Sequence, residues 1–251
     1  MKALLVRVGI DKSYGKWNAP IDPRSGRFVY VPIDEQRTTR FRPGYERRYD
    51  ELVPSLRDYC GEFGLDLYRD LTFPQDLVGC PMHLDPDFEC LTYGDYYEPR
   101  RRGSSIMDRI DKDDLLVFYA GLRNVRDLRG RLIYALIGLF AVQEVVPAAS
   151  VFADRWRENA HTRRDPEHIR ETTIIFRAKK ELSGRLERAI PIGERRDRAY
   201  RVKRDILDAW GDLSVQDGYI QRNRVPPSFL DPERFYSWLR KQNILLLQRN
   251  N

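Results

Sequence analysis

The run RLIYALIGLFAVQEVV, residues 131–146, constrains the fold more than any other stretch of this chain. Its uninterrupted apolar part, Leu132 to Val142, is about eleven residues, well short of the ~20 that a membrane-spanning helix needs. It carries branched and aromatic side chains and extends to Val146, so it reads as one long strand. Gly138 sits inside it, where a glycine marks a β-bulge or a sharp bend of the kind that barrels use. A chain built around such a strand must fold a bent sheet.

Other segments supply partners for that strand. KALLVRVGI and RFVYVPI read as strands around a turn-rich loop, and together they predict a hairpin with an elaborated tip. LLVFYA, residues 115–120, reads as a buried strand. ETTIIFRA and RLERAIPI read as two short strands joined by KKELSG. VPSLRDYCGEFGL reads as a helix, with Pro54 in its first turn and Leu56, Tyr59, Cys60 and Phe63 at helical spacing. Near the C-terminus, Val202, Ile206, Leu207 and Trp210 share one helical face, and Gly211 is placed to end that helix. Asp231 and Pro232 open a second helix with Phe235, Trp238 and Leu239 as its apolar stripe. Residues 72–103 show little periodicity and read as a long irregular stretch. The expected architecture is α+β, a single domain over residues 1–251. Its sheet is a bent mixed sheet or a small β-barrel with flanking helices, and its C-terminal third is helical.

At 251 residues, with 12% aromatics, the chain can bury a sizeable core without disulfide staples. The N-terminus lacks the pattern of a secretory signal, and nothing reaches membrane-spanning length, so a soluble cytoplasmic protein is expected. The three cysteines, Cys60, Cys80 and Cys90, have no framework spacing and read as reduced thiols. The net charge is +6, and the arginines are clustered at 100–102, 123–131 and 195–204. Guanidinium forks match phosphate geometry, so these clusters point to DNA or a nucleotide as partner. No GxGxxG and no GxxxxGK[ST] occurs, which removes Rossmann and P-loop readings.

Candidate site residues fall on several loops. In CPMHLDPDFEC, His83, Asp85 and Asp87 alternate, and alternate side chains of an extended segment face one way. One imidazole and two carboxylates suit a divalent transition ion in principle. With only three histidines, however, a metal site would have to recruit His161 from the far half of the chain. We read the segment as a shaped loop at the rim of a ligand site, and assign no metal ligand and no cofactor from sequence. His161, in RENAHTRR with Asn159 and Arg163, is the candidate general base or acid, with Asp11, Asp85 or Asp87 as its orienter or as a metal ligand in the enzyme reading. Asp11, Tyr14, Trp17 and Asn18 lie on one loop, and Trp17 beside Asn18 offers stacking and edge recognition for a base. Ser183 and Arg185 at a turn suit a phosphate, and Gln221, Arg222, Asn223 and Arg224 form a polar cluster before Pro-Pro.

The stretches LLVRVGIDKSYGKWNAPID, FVYVPI, HLDPDF with LTYGD, LLVFYAGLR, YALIGLFAV, ENAHTRR, SGRLERAIPIGE and DGYIQRNRVPP occur in this order over about residues 3–240. Together they resemble the nucleotide modification associated domain family, the third of that name. Where the family pattern leads us to expect Ser after IQR, this chain has Asn223. The resemblance implies work beside systems that modify DNA bases, often in phages and bacterial conflict loci, and it assigns no catalytic residue. A fainter likeness joins KDDLLVFYAG with LIGLFAVQEVV to the barrel of PUA-like and EVE-like domains, a superfamily that includes readers of modified bases in RNA and DNA. Two readings follow. The first is a protein that binds a modified base or nucleotide through Trp17, Asn18, His83, Asp87, Asn159, Arg163, Ser183, Arg185, Gln221 and Arg222, with the arginines of 123–131 and 195–204 at the phosphates. The alternative is an enzyme that modifies a nucleotide or DNA base with His161 and aspartates.

Overall fold

A computed structural model describes residues 1–11, 16–99, 101–222 and 225–251. In chain order the strands are β1 Ala3–Arg7, β2 Pro20–Ile21, β3 Ile33–Asp34, β4 Met82–His83, β5 Thr92–Tyr96, β6 Leu115–Asn124 and β7 Ile133–Pro147. They continue with β8 Thr173–Ala178, β9 Gly184–Pro191, β10 Gly193–Arg196, β11 Ala199–Val202 and β12 Leu246–Leu247. The α-helices are α1 Val53–Gly61, α2 Arg102–Met107, α3 Arg204–Trp210 and α4 Pro232–Lys241.

The main sheet is open and mixed, and its path runs β1-β6-β7-β8-β5. β1 and β2 lie parallel to β6, whereas the pairings of β7 with β6, β8 and β9 are antiparallel. The expected barrel does not close, because β5 and β1 end the path without pairing. The expected hairpin is also replaced. β1 pairs with β6 across the molecule, and RFVYVPI contributes only Ile33 to a strand, in the short β3–β4 pair. Helices α3 and α4 form over Ile206, Leu207 and Trp210 and over Phe235, Trp238 and Leu239, but Val202 of the expected stripe ends strand β11, and β8 to β12 occupy the same third of the chain, so that third is mixed. Among the described residues no helix is long and apolar enough to cross a membrane.

The sheet is buried on both faces, which explains why its strands read as unbroken apolar runs. Leu4 and Val6 of β1, with Leu116, Phe118 and Ala120 of β6, face a core that includes Leu56 and Tyr59 of α1. Ala3, Leu5, Leu115, Val117 and Tyr119 face the opposite core, closed by Trp210 of α3 and Phe235 of α4. Gly211 ends α3 at φ 78°, as its position after the stripe predicts.

Gly138 marks a bulge in β7, as expected. Phe118 pairs with Gly138 while Tyr119 pairs with Leu136, so Ile137 is the unpaired extra residue. The insertion inverts the alternation. Tyr134 and Leu136 face the α3/α4 core before it, and Leu139 and Ala141 face that core after it. A side chain at 138 is excluded by packing, since a Cβ there would lie 2.3 Å from the Phe88 ring. Phe88 is fully buried and meets Tyr30, Phe118 and Phe140 edge-on. The bulge therefore makes the socket that anchors the HLDPDF loop.

Candidate functional site

His83 is the last residue of β4, which pairs with β3 so that Ile33 stands opposite it. That pairing carries Glu35 to the imidazole, and Glu35 Oε1 lies 2.8 Å from His83 Nδ1. Arg164 holds the same carboxylate, donating from Nη2 at 2.9 and 2.8 Å, and donates from Nη1 to the Tyr96 hydroxyl at 2.8 Å.

Two residues on, Asp85 accepts the Gly94 backbone N–H on both oxygens, at 2.9 and 3.0 Å, and Asn159 Nδ2 at 3.3 Å. Asn159 in turn accepts the backbone N–H of His161 at 2.9 Å, which turns that ring toward Asp85. The imidazoles of His83 and His161 meet edge to face, with centroids 4.8 Å apart. Their Nε2 atoms stand 3.7 and 3.6 Å from the same Asp85 oxygen, Oδ2. The ring of His161 also meets Tyr96 edge-on. A glycine at 94 is required, because a Cβ there would lie 2.4 Å from His161 Cδ2 and 2.8 Å from Asn159 Oδ1.

Asp85 and His161 are buried, and His83 keeps 15% of its side chain exposed. Burial pushes the Asp85 carboxyl up to about 7, against the pull of His83, the Gly94 N–H and Asn159. Burial, with His83 and Arg164 nearby, drives His161 well below the usual imidazole range. Glu35 behaves oppositely. Burial opposes its charge, but His83 and Arg164 outweigh burial and hold the carboxyl at about 2. A buried carboxylate and two imidazoles thus converge on one point, with an ion pair locked behind them. These groups could move a proton or share an ion.

The expected H-x-D-x-D row is two-thirds realised. Asp87 turns away, accepts the backbone N–H groups of Glu89 and Cys90, and pairs with Arg163 at 2.5 Å. Arg163 is spent on that buried pair and on the Arg157 carbonyl. Asp11 pairs with Arg7 at 2.7 Å, in a neighbourhood that includes Tyr119 and Tyr134. Trp17 is only 4% exposed, packs edge-on against Phe73 and donates to the Leu71 carbonyl. Asn18 donates to the Gly121 carbonyl. Trp17 and Asn18 line a groove of about 400 Å³ with Arg69, Arg123 and Arg129, and His83, Asp85 and His161 are not among its walls. Ser183 is buried with its hydroxyl accepting from the Ala141 N–H, and Arg185 is buried over the Phe28 ring. Gln221 accepts the Tyr200 N–H, and Arg222 is exposed. Tyr14, Arg100, Asn223 and Arg224 lie outside the described residues.

The arginine clusters divide. Arg126 pairs with Asp22, Arg102 with Asp95, and Arg196 with Glu194 and Asp217. Arg129, Arg131, Arg195 and Arg198 are exposed and make no ion pair among the described residues. Glu35, Gly94 and Tyr96 are site residues that sequence reasoning missed. IDEQR gives Glu35 no distinguishing context, and TYGDY hid strand β5 because it puts the polar Thr92 and Asp95 at buried positions, where they are satisfied by Glu158, Tyr93 and Arg102.

All three cysteines are free. The family model described as nucleotide modification associated domain 3 matches residues 2–216 of the chain. No curated protein and no solved structure matches it.

Proposed function

The chain belongs to the nucleotide modification associated domain 3 family, and on that premise we propose that it is an enzyme acting on a base or nucleotide of DNA, with His83, Asp85 and His161 as its reaction centre. The observation that carries this reading is the convergence of both Nε2 atoms on one Asp85 oxygen at 3.7 and 3.6 Å. Neither distance is a hydrogen bond, so the three groups do not satisfy one another. Glu35, Arg164 and Asn159 instead hold them toward a shared point, as a working site requires.

His83, the partly open member, is the side from which a substrate would be met. Exposed arginines such as Arg129 and Arg131 are suited to phosphates, whose contacts would make affinity fall with salt. The groove beside Trp17 and Asn18 favours a second reading, a module that binds a modified base or nucleotide, since Arg123 and Arg129 stand on its walls. The burial of Trp17 leaves that ring little surface for stacking, so the catalytic reading comes first.

One experiment separates the two. Duplex DNA, single strands and free nucleotides are incubated with the protein, with and without Mn²⁺ or Zn²⁺, and the nucleosides are analysed by mass spectrometry. A new species made by the parent, absent with Asp85→Asn and His161→Gln, is expected. Tight binding to DNA by parent and variants alike, with no product from either, would leave the binding module and end the catalytic reading.

A further inference from the structure

We propose that His83 Nε2, Asp85 Oδ2 and His161 Nε2 are the protein ligands of one divalent transition-metal ion. The inference rests on the reaction centre proposed above, but it is a statement about binding and is tested as one. Its geometric basis is the spacing of the three atoms. Metal–nitrogen and metal–oxygen bonds of about 2.0–2.2 Å put tetrahedral ligands about 3.4 Å apart. The two imidazole-to-carboxylate separations are 3.6 and 3.7 Å, and ligand atoms from the three residues all lie within 4.8 Å of one another. These are too long for hydrogen bonds and close to the edges of a coordination polyhedron.

A second observation is independent of that spacing. His161 is 2% exposed, and its Nε2 faces the Asp85 carboxylate at 3.6 Å, beyond hydrogen-bond reach. A neutral imidazole offers one N–H and one lone pair, and buried polar groups are ordinarily satisfied. An ion at the focus would take the Nε2 lone pair and leave the proton on Nδ1, which has no hydrogen-bond partner among the described residues. His83 is prepared in the way metal-bound histidines are, because the Glu35 carboxylate at its Nδ1 directs the lone pair to Nε2. Arg164 fixes that carboxylate from behind.

The donor set names the class of ion. Two imidazoles and one carboxylate suit Zn²⁺, Fe²⁺, Mn²⁺ or Co²⁺, whereas Mg²⁺ and Ca²⁺ take oxygen shells. Three protein ligands leave at least one position for water or a substrate oxygen.

The test uses the full chain stripped with a chelator and titrated with Co²⁺ and Zn²⁺, with bound metal counted by elemental mass spectrometry. One ion per chain is expected. His83→Gln, Asp85→Asn and His161→Gln should each weaken binding at least about 100-fold, and Glu35→Gln about 10–100-fold. His168→Gln, outside the cluster, should bind as the parent does. A parent that retains no ion, or a His161→Gln protein that keeps it undiminished, overturns the proposal. Because a variant can fail to fold, X-ray absorption at the zinc edge of the loaded parent gives a second reading. Two imidazoles and a carboxylate oxygen in the shell support the site, and a shell without imidazole overturns it. An ion held here without any nucleotide product would sink only the proposed reaction. Product formed by protein that binds no ion would sink only this inference.

Discussion

At the residue scale, the site depends on what is missing at position 94. Glycine there is dictated by space rather than by backbone conformation, because His161 and Asn159 occupy the volume a methyl would need. Gly94→Ala is therefore expected to destabilise the fold by about 1–3 kcal/mol, the usual cost of overpacking a filled core. Thermal unfolding should show a fall of several degrees, since about 1 kcal/mol corresponds to roughly 2–4 °C for a chain of this size. An unchanged midpoint would mean that His161 is not held against β5. Asp85 and Asp87 make the complementary point: they sit two residues apart and share a residue type, yet one faces two imidazoles and the other is locked to Arg163.

At the scale of elements, β7 and the HLDPDF loop are a matched pair. The bulge at Ile137–Gly138 opens the socket, and Phe88 fills it, which sets the height at which His83 and Asp85 stand over the sheet. Gly138→Ala and Phe88→Leu should each destabilise the protein. The double variant should lose less than the two losses added, because the smaller side chain vacates the volume that the new methyl needs. Residues in such contact couple by about 0.5–3 kcal/mol, which urea unfolding of the four proteins can resolve. Strict additivity would show that the socket does not position the loop. The bulge itself was legible in Gly138 within an apolar run. What filled it was not, because Phe88 lies 50 residues earlier in a stretch with no periodicity.

At the scale of the whole molecule, the C-terminal segment closes the structure over the same loop. β12 pairs with β9, and beyond it Asn250 accepts the Phe88 N–H at 2.9 Å and donates to Asp87 at 3.1 Å. Asn251 brackets the backbone of Tyr30 in the same way. These contacts lie past residue 216, where the family match ends. Asn250→Ala should cost about 1–3 kcal/mol by leaving a buried N–H without its acceptor. Hydrogen exchange should quicken over residues 83–92 and stay unchanged in the β10–β11 hairpin. Equal exchange at both places would detach the tail from the site.

Local chemistry determined the parts of this protein that depend on neighbours in sequence. Apolar runs set strands β6, β7, β8 and β9, proline and spaced apolar residues set α1 and α4, and Gly211 set the end of α3. The same local signals marked His83, Asp85, Asn159 and His161 as residues rich in chemistry. Which of them meet was decided only by the tertiary structure. The parallel pairing of β1 with β6, the open edge in place of a barrel, the seating of Trp17 in the core and the arrival of Glu35 at His83 are all contacts between distant segments. A local pattern fixes which face a side chain takes. The partner on that face is fixed by burial of the whole sheet, in which a carboxylate or an imidazole settles where remote groups can satisfy it.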